Sequence, residues 1–132
     1  MDLIKKYDNT KYPYQSESFK IIGACMEVHK ILGKGLLEIV YKDALEIEFN
    51  NQNIQFEREK KFDVEYKGTT LNHNFYADFV VFDKIILEVK AQNGLVEEHY
   101  KQTLNYLAIS KMKLALLINF GNDSLNYNRV IL

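Results

Sequence analysis

Three charged residues interrupt runs that are otherwise apolar. Asp78 lies within Ala-Asp-Phe-Val-Val (77–81), and Glu88 and Lys90 lie within Ile-Ile-Leu-Glu-Val-Lys-Ala (85–91). Charges in buried-looking strands need a reason, because a buried charge is costly unless paired. Side chains on a strand alternate, so Glu88 and Lys90 share a face with Ile86, while Leu87 and Val89 take the other. Asp78 shares its face with Val80 and Phe82. If residues 82–84 form a hairpin loop, Val81 pairs with Ile85 and Asp78 lies opposite Glu88. The two carboxylates are then about 5 Å apart at the Cβ level. A two-residue loop would shift the register by one and separate them. Adjacent carboxylates repel, and one is pushed toward protonation unless a cation joins them. A hard divalent ion such as Mg2+ takes oxygen ligands and resolves the conflict. Lys90 would then orient or deprotonate an attacking water, or neutralise a negative substrate. Two carboxylates, a metal and a lysine are suited to hydrolysing a phosphodiester. The plainer alternative is an exposed Glu–Lys pair on a solvated sheet face, with Asp78 incidental.

The surrounding pattern predicts the elements that would hold these groups. Residues 1–15 are polar, rich in tyrosine and contain Pro13, the only proline; they read as an arm. Residues 16–132 read as a single domain. A helix is expected from Ser16, a suitable N-cap, through Leu32. The Gly-Lys-Gly at 33–35 punctuates the chain, and a second helix runs from Leu36 to about Phe49. Alternation from Ile54 to Tyr66 predicts a half-buried strand with a break at 57–61. Strands at 70–82 and 84–91, a helix at 96–110, a doubly buried strand at 114–120 and a last strand at 125–132 complete the chain. The order is helix, helix, three strands, helix, two strands: an α/β (α+β) sandwich around a mixed sheet.

Composition sets the limits. The chain has 132 residues, 47% of them hydrophobic, and 17 basic side chains against 18 acidic ones. One core of that size needs no staples. The single cysteine, Cys25, excludes an intrachain disulfide and a cysteine zinc cage. It reads as a small core residue and fits a reducing, cytoplasmic setting. No apolar run reaches the length of a spanning helix, and the first residues lack the apolar stretch of a secretory signal. The net charge of −1 argues against an indiscriminate nucleic-acid binder.

At this point the pattern resembles a known group. Asp78, a ten-residue gap and Glu88-x-Lys90, preceded and followed by helices, resemble the PD-(D/E)XK nuclease superfamily. Gly35, Glu38 and Tyr41 in GLLEIVY (35–41) are similar to the signature of its GxxExxY branch, as are EVHKILGKG (27–35), HYKQTLNYL (99–107) and LLINFG (116–121). The resemblance spans residues 16–132. It implies a mixed sheet flanked by helices, dependence on Mg2+ or Mn2+, and a nucleic-acid substrate, DNA in the first place. It implies that Asp78 and Glu88 are metal ligands, with the Val89 carbonyl as a further ligand, and that Lys90 is catalytic. Glu38 matches the acidic residue on the first core helix, near the metal, and Gln102 the polar residue on the helix after the lysine strand. Ala77 stands where the superfamily's name has proline.

Plainer readings stand beside these. Glu38 in a first helical turn gains about 0.3–1 kcal/mol from the helix dipole without any site. Tyr41 would share its face and hold it by a hydrogen bond, or simply pack in the core. His99, Gln102 and Tyr106 line one stripe of their helix, with His99 a helper or bystander rather than a ligand. His29 reads as a satisfied, partly buried histidine. Arg58, Lys60 and Lys61 alternate with Glu57 and Glu59 as on a solvated edge. A catalytically inactive or partner-dependent module with the same fold, binding nucleic acid or protein, is the rival reading. A homodimer, with Tyr7, Tyr12 and Tyr14 of the arm at its interface, is a further one; a loose tail is the plainer reading of that arm.

Overall fold

The computed structural model describes residues 12–132. The chain forms α1 (Gln15–Leu32), α2 (Glu38–Asn51), β1 (Phe56–Tyr66), β2 (Thr69–Val81), β3 (Ile85–Lys90), α3 (Glu97–Ser110), β4 (Leu114–Asn119) and β5 (Asn126–Val130). The five strands make one sheet in chain order. All neighbours are antiparallel except β3 and β4, which are parallel and joined through α3. This is the mixed α+β architecture, and the order of elements, that the sequence pattern predicts.

The two faces of the sheet are covered differently. Ile85, Leu87 and Val89 of β3, with Leu114, Leu116 and Ile118 of β4, pack beneath α1 and α2 against Ile21, Cys25, Tyr41, Leu45 and Phe49. Ile86 of β3, with Ala115 and Leu117 of β4, packs beneath α3 against Tyr100, Tyr106 and Leu107. Covering on both faces explains why β3 and β4 read as near-continuous apolar runs. Glu88 and Lys90 therefore fall on the α3 side, by the period of two.

Four details differ from the sequence expectations. Ser16 is not a cap: α1 starts at Gln15, after Tyr14, with no side-chain cap, and Ser18 is buried within it. The second helix begins at Glu38 rather than Leu36, and Glu38 stays in the first turn, as expected. Tyr12 and Tyr14 do not belong to a loose tail. Tyr12 stacks on the Arg129 guanidinium at 4.2 Å and Tyr14 lies 5.3 Å from the Lys84 ammonium. Tyr7 and the rest of the expected arm, up to residue 11, lie outside the described residues. The strand expected from Ile54 starts at Phe56 and runs unbroken to Tyr66; its register with β2 shifts between Asp63 and Glu65, and inside the expected break at 57–61 the ladder lacks the pair of Glu59 with Asp78.

Candidate functional site

The missing pair of Glu59 with Asp78 places the site. Phe56 and Arg58 of β1, and Phe79 and Val81 of β2, face α1 and α2; Arg58 lies over the Phe79 ring and pairs with Asp43 of α2. Further along, Phe62, Phe75 and Ala77 face the α3 side. The alternation slips by one residue in each strand. It slips where Glu59 and Asp78 would pair, for the ladder holds Arg58 to Phe79 and Lys60 to Ala77 but skips the pair between. Glu59 takes a φ of 55° there, in the left-handed region. A non-glycine residue held so costs about 1–3 kcal/mol and needs surroundings that fix it.

A second ladder ends beside the first. Val81 pairs with Ile85, Val80 with Ile86 and Phe79 with Leu87, the register of a three-residue loop. Phe82 and Asp83 in that loop both have positive φ. Beyond Phe79 and Leu87 the backbones no longer pair, and side chains bridge them instead. The Asp78 N–H donates to Glu88 Oε2 at 2.8 Å, and the Val89 N–H donates to Asp78 Oδ2 at 2.8 Å. Glu88 thus satisfies the backbone donor of Asp78 itself, and Asp78 the donor of the residue after Glu88. The two carboxylates come together as the spacing predicts, through a reciprocal bridge rather than a continued ladder.

Other elements converge on this gap. Lys42 of α2 is buried, and its Nζ donates to Asp78 Oδ1 at 2.8 Å and to Glu59 Oε1. Lys90 Nζ donates to Gln102 Oε1 at 3.3 Å, so the lysine strand and α3 meet as expected. Tyr106 of α3 is buried and stands edge-on to Phe75. The carboxyls of Glu38, Glu59, Asp78 and Glu88 outnumber the ammonium groups of Lys42 and Lys90.

Electrostatics record the crowding. The Glu88 carboxyl, 2% exposed, is pushed up to about 8, by burial first and by the negative charge of Asp78 second. Burial also raises Glu38, with Lys90 opposing and Asp78 adding to the effect. For Lys42, burial disfavours the charge, but its hydrogen bonds with Asp78 and Glu59 more than reverse this and hold the ammonium charged. The Tyr106 phenol is pushed up to about 12 by burial and by the charges of Glu88 and Asp78.

Two expected helpers act elsewhere. Tyr41 does not hold Glu38: its hydroxyl donates to the Gly33 carbonyl at 2.6 Å and accepts from the Leu36 N–H at 3.3 Å, while its ring stacks on Phe120 at 4.6 Å. It clamps the turn that launches α2. Gly35, at φ 100°, takes a backbone conformation in that turn that side chains rarely adopt. His99 accepts the Val96 N–H on Nδ1 at 2.9 Å and so caps α3, while burial and then Lys90 lower its pKa. His29 is satisfied by the Asn122 carbonyl at 3.0 Å, and Cys25 is a buried core thiol.

Lys42 and Glu59 are site residues that the sequence reading missed. The signals were a lysine four residues after Glu38, hence on the same helical face, and a break in strand alternation at 57–61. Asn119 was missed as well. Buried on β4, it accepts the Gln92 N–H and donates to the Gln92 carbonyl, which fixes the chain just after Lys90.

Among the described residues, no three or more His, Cys, Asp or Glu form a ready-made metal cage. The donor set nevertheless suits a hard cation. Magnesium is commonly held by one or two carboxylates plus substrate phosphates. Asp78 already binds a cation, the Lys42 ammonium, and Glu88 is crowded toward protonation beside it.

The sequence profile of the PD-(D/E)XK nuclease superfamily matches residues 15–130. No curated protein matches the chain. Among solved structures, the crystal structure of SSO0001 has a similar fold, with a TM-score of 0.57 and 19% sequence identity. The similarity covers 89% of this chain and 60% of that one, so the chain spans less than two-thirds of that protein.

Proposed function

The chain belongs to the PD-(D/E)XK nuclease superfamily, and from that premise we propose that it is a metal-dependent nuclease of the GxxExxY branch, hydrolysing phosphodiester bonds in nucleic acid, DNA before RNA. The carrying observation is the reciprocal bridge between Asp78 and Glu88, with Lys90 two residues on and bonded to Gln102. Nucleases of the superfamily generally use divalent metals. Asp78 and Glu88 would hold Mg2+ or Mn2+, with the Val89 carbonyl and Glu38 as further ligands. When bound, the ion supplies Lewis acidity at the scissile phosphate and charge stabilisation at the leaving oxygen.

The chain's own groups do the rest. Lys90 directs its ammonium at the attacking water and the phosphate oxygens, and Gln102 limits the directions it can take. The bridge between Asp78 and Glu88 keeps their oxygens close before substrate arrives, which lowers the reorganisation needed in the reaction. Tyr106, neutral at all ordinary pH, closes the α3 side of the cluster without adding charge. Catalysis would take place in the cytoplasm.

The test is cleavage of varied DNA and RNA substrates in Mg2+ or Mn2+. Lys90→Ala should cut at least about a hundredfold more slowly than the unaltered chain. Undiminished cleavage in that variant would remove Lys90 from the mechanism. A second reading, a partner-dependent or catalytically inactive module that binds nucleic acid or protein, has one observation in its favour. Lys42 donates to an oxygen of Asp78, the acid that the nuclease reading needs for metal. Cleavage that appears only with a partner protein or in a homodimer would favour it.

A further inference from the structure

Lys42 and its partner Glu59 are the charged groups of the cluster that have no part in the proposed reaction. Lys42 reaches the site from α2, four residues after Glu38, and its side chain is 7% exposed. Its ammonium donates to Asp78 Oδ1 at 2.8 Å and to Glu59. Asp78 Oδ2 is taken by the Val89 N–H. A divalent ion approaching Asp78 therefore meets an oxygen already shared with a cation. Two cations on one carboxylate in a low-dielectric site repel each other strongly.

We propose that Lys42 is an internal competitor for the metal: its ammonium holds the cation position beside Asp78 in the metal-free protein, and a divalent ion binds by displacing it toward Glu59. The inference rests on the metal-site reading above and adds a residue to it. Two features support displacement over a fixed ion pair. Glu59 is 48% exposed, so an ammonium that leaves Asp78 keeps a carboxylate partner and gains water. Lysine is also a flexible point charge without the planar fork that locks arginine to carboxylates. The arrangement keeps four carboxyls together in the absence of metal and sets a threshold of metal concentration for activity.

A fixed structural pair predicts the opposite sign. If Lys42 only held Asp78 in place, removing it would weaken metal binding. Competition predicts that removing it strengthens binding. Calorimetry with Mn2+ at alkaline pH, on the full chain, reads this directly. Lys42→Met keeps the length of the stem and removes the charge; it should bind Mn2+ at least about tenfold more tightly than the unaltered chain. Equal or weaker binding by folded Lys42→Met overturns the competition and leaves the metal site standing. Binding by neither protein overturns the metal-site reading, and the competition with it. If Lys42→Met does not fold, the unaltered chain still decides. Its Lys42 side-chain nitrogen resonance should shift as Mg2+ saturates the site, and a resonance unmoved at saturation overturns the proposal.

Discussion

At the scale of single residues, the site is a problem of placing negative charge. Glu88 shows the cost most clearly, because burial and Asp78 hold its folded-state pKa near 8, above the ordinary carboxylate value of 4.5. A carboxyl whose pKa rises on folding penalises the folded state once it is ionised. The penalty is absent below the unfolded value, grows as pH rises through the window from 4.5 to about 8, and is complete above that. The metal-free protein should therefore lose stability across that window, on the order of a few kcal/mol. Glu88→Gln should flatten the loss, since its amide oxygen can still accept the Asp78 N–H. Urea melts at several pH values, in chelator, check this; a slope that persists in Glu88→Gln would assign the loss to another group. Asp78, Glu88 and Lys90 were legible in the sequence because charges within apolar strands are anomalous. Lys42 was not, because a lysine on an amphipathic helix reads as solvated, and only its approach to Asp78 reveals otherwise. Glu59 was hidden in the same way by its alternating neighbours.

At the scale of elements, sequence patterns predicted helices and strands well and their junctions less well. Periodicity carries the type of an element, because burial enforces it at every turn or pleat. It carries the phase slip at Glu59 and Asp78 only as a break in alternation at 57–61, since no glycine or proline marks the bend and an ion pair stabilises it instead. The caps misled for a related reason: Tyr14 turns the chain into α1 while packing against the core, so the serine beside it is unused. The clamp after β3 is another junction of this kind. Asn119 Oδ1 accepts from the N–H groups of Gln92 and Gly121, both at 3.1 Å, and its Nδ2 donates to the Gln92 carbonyl at 2.9 Å. A Cβ on Gly121 would stand 2.1 Å from that carbonyl oxygen, so the backbones pass too closely for any side chain. Asn119→Ala would strand these groups and should cost about 2 kcal/mol or more, measured by chemical denaturation. By loosening the strand that carries Lys90, it should also slow cleavage more than it weakens Mn2+ binding. An equal loss of both would mean that the clamp serves stability alone.

At the scale of the whole molecule, 17 basic side chains nearly cancel 18 acidic ones. Four of the acids, Glu38, Glu59, Asp78 and Glu88, gather in one cluster, with Lys42 and Lys90 as partial balance, and under the proposed function a phosphate backbone docks there. Nucleic-acid affinity is dominated by phosphate neutralisation. The metal-free chain should therefore grip a duplex weakly, and a bound divalent ion should strengthen the grip by reversing the local field. Ca2+ is a useful probe, because it seeks the same hard oxygen ligands as Mg2+ while tolerating looser geometry. In fluorescence anisotropy with a labelled duplex, Ca2+ should tighten binding by the unaltered chain. Asp78→Asn removes a repulsive charge and a proposed metal ligand together, so it should bind the duplex more tightly than the unaltered chain in chelator and gain little from Ca2+. The crossing of those two responses is specific to a site that is repulsive when empty and attractive when loaded. An Asp78→Asn protein that gains as much from Ca2+ as the unaltered chain would place the ion elsewhere and move the docking surface away from the bridge between Asp78 and Glu88.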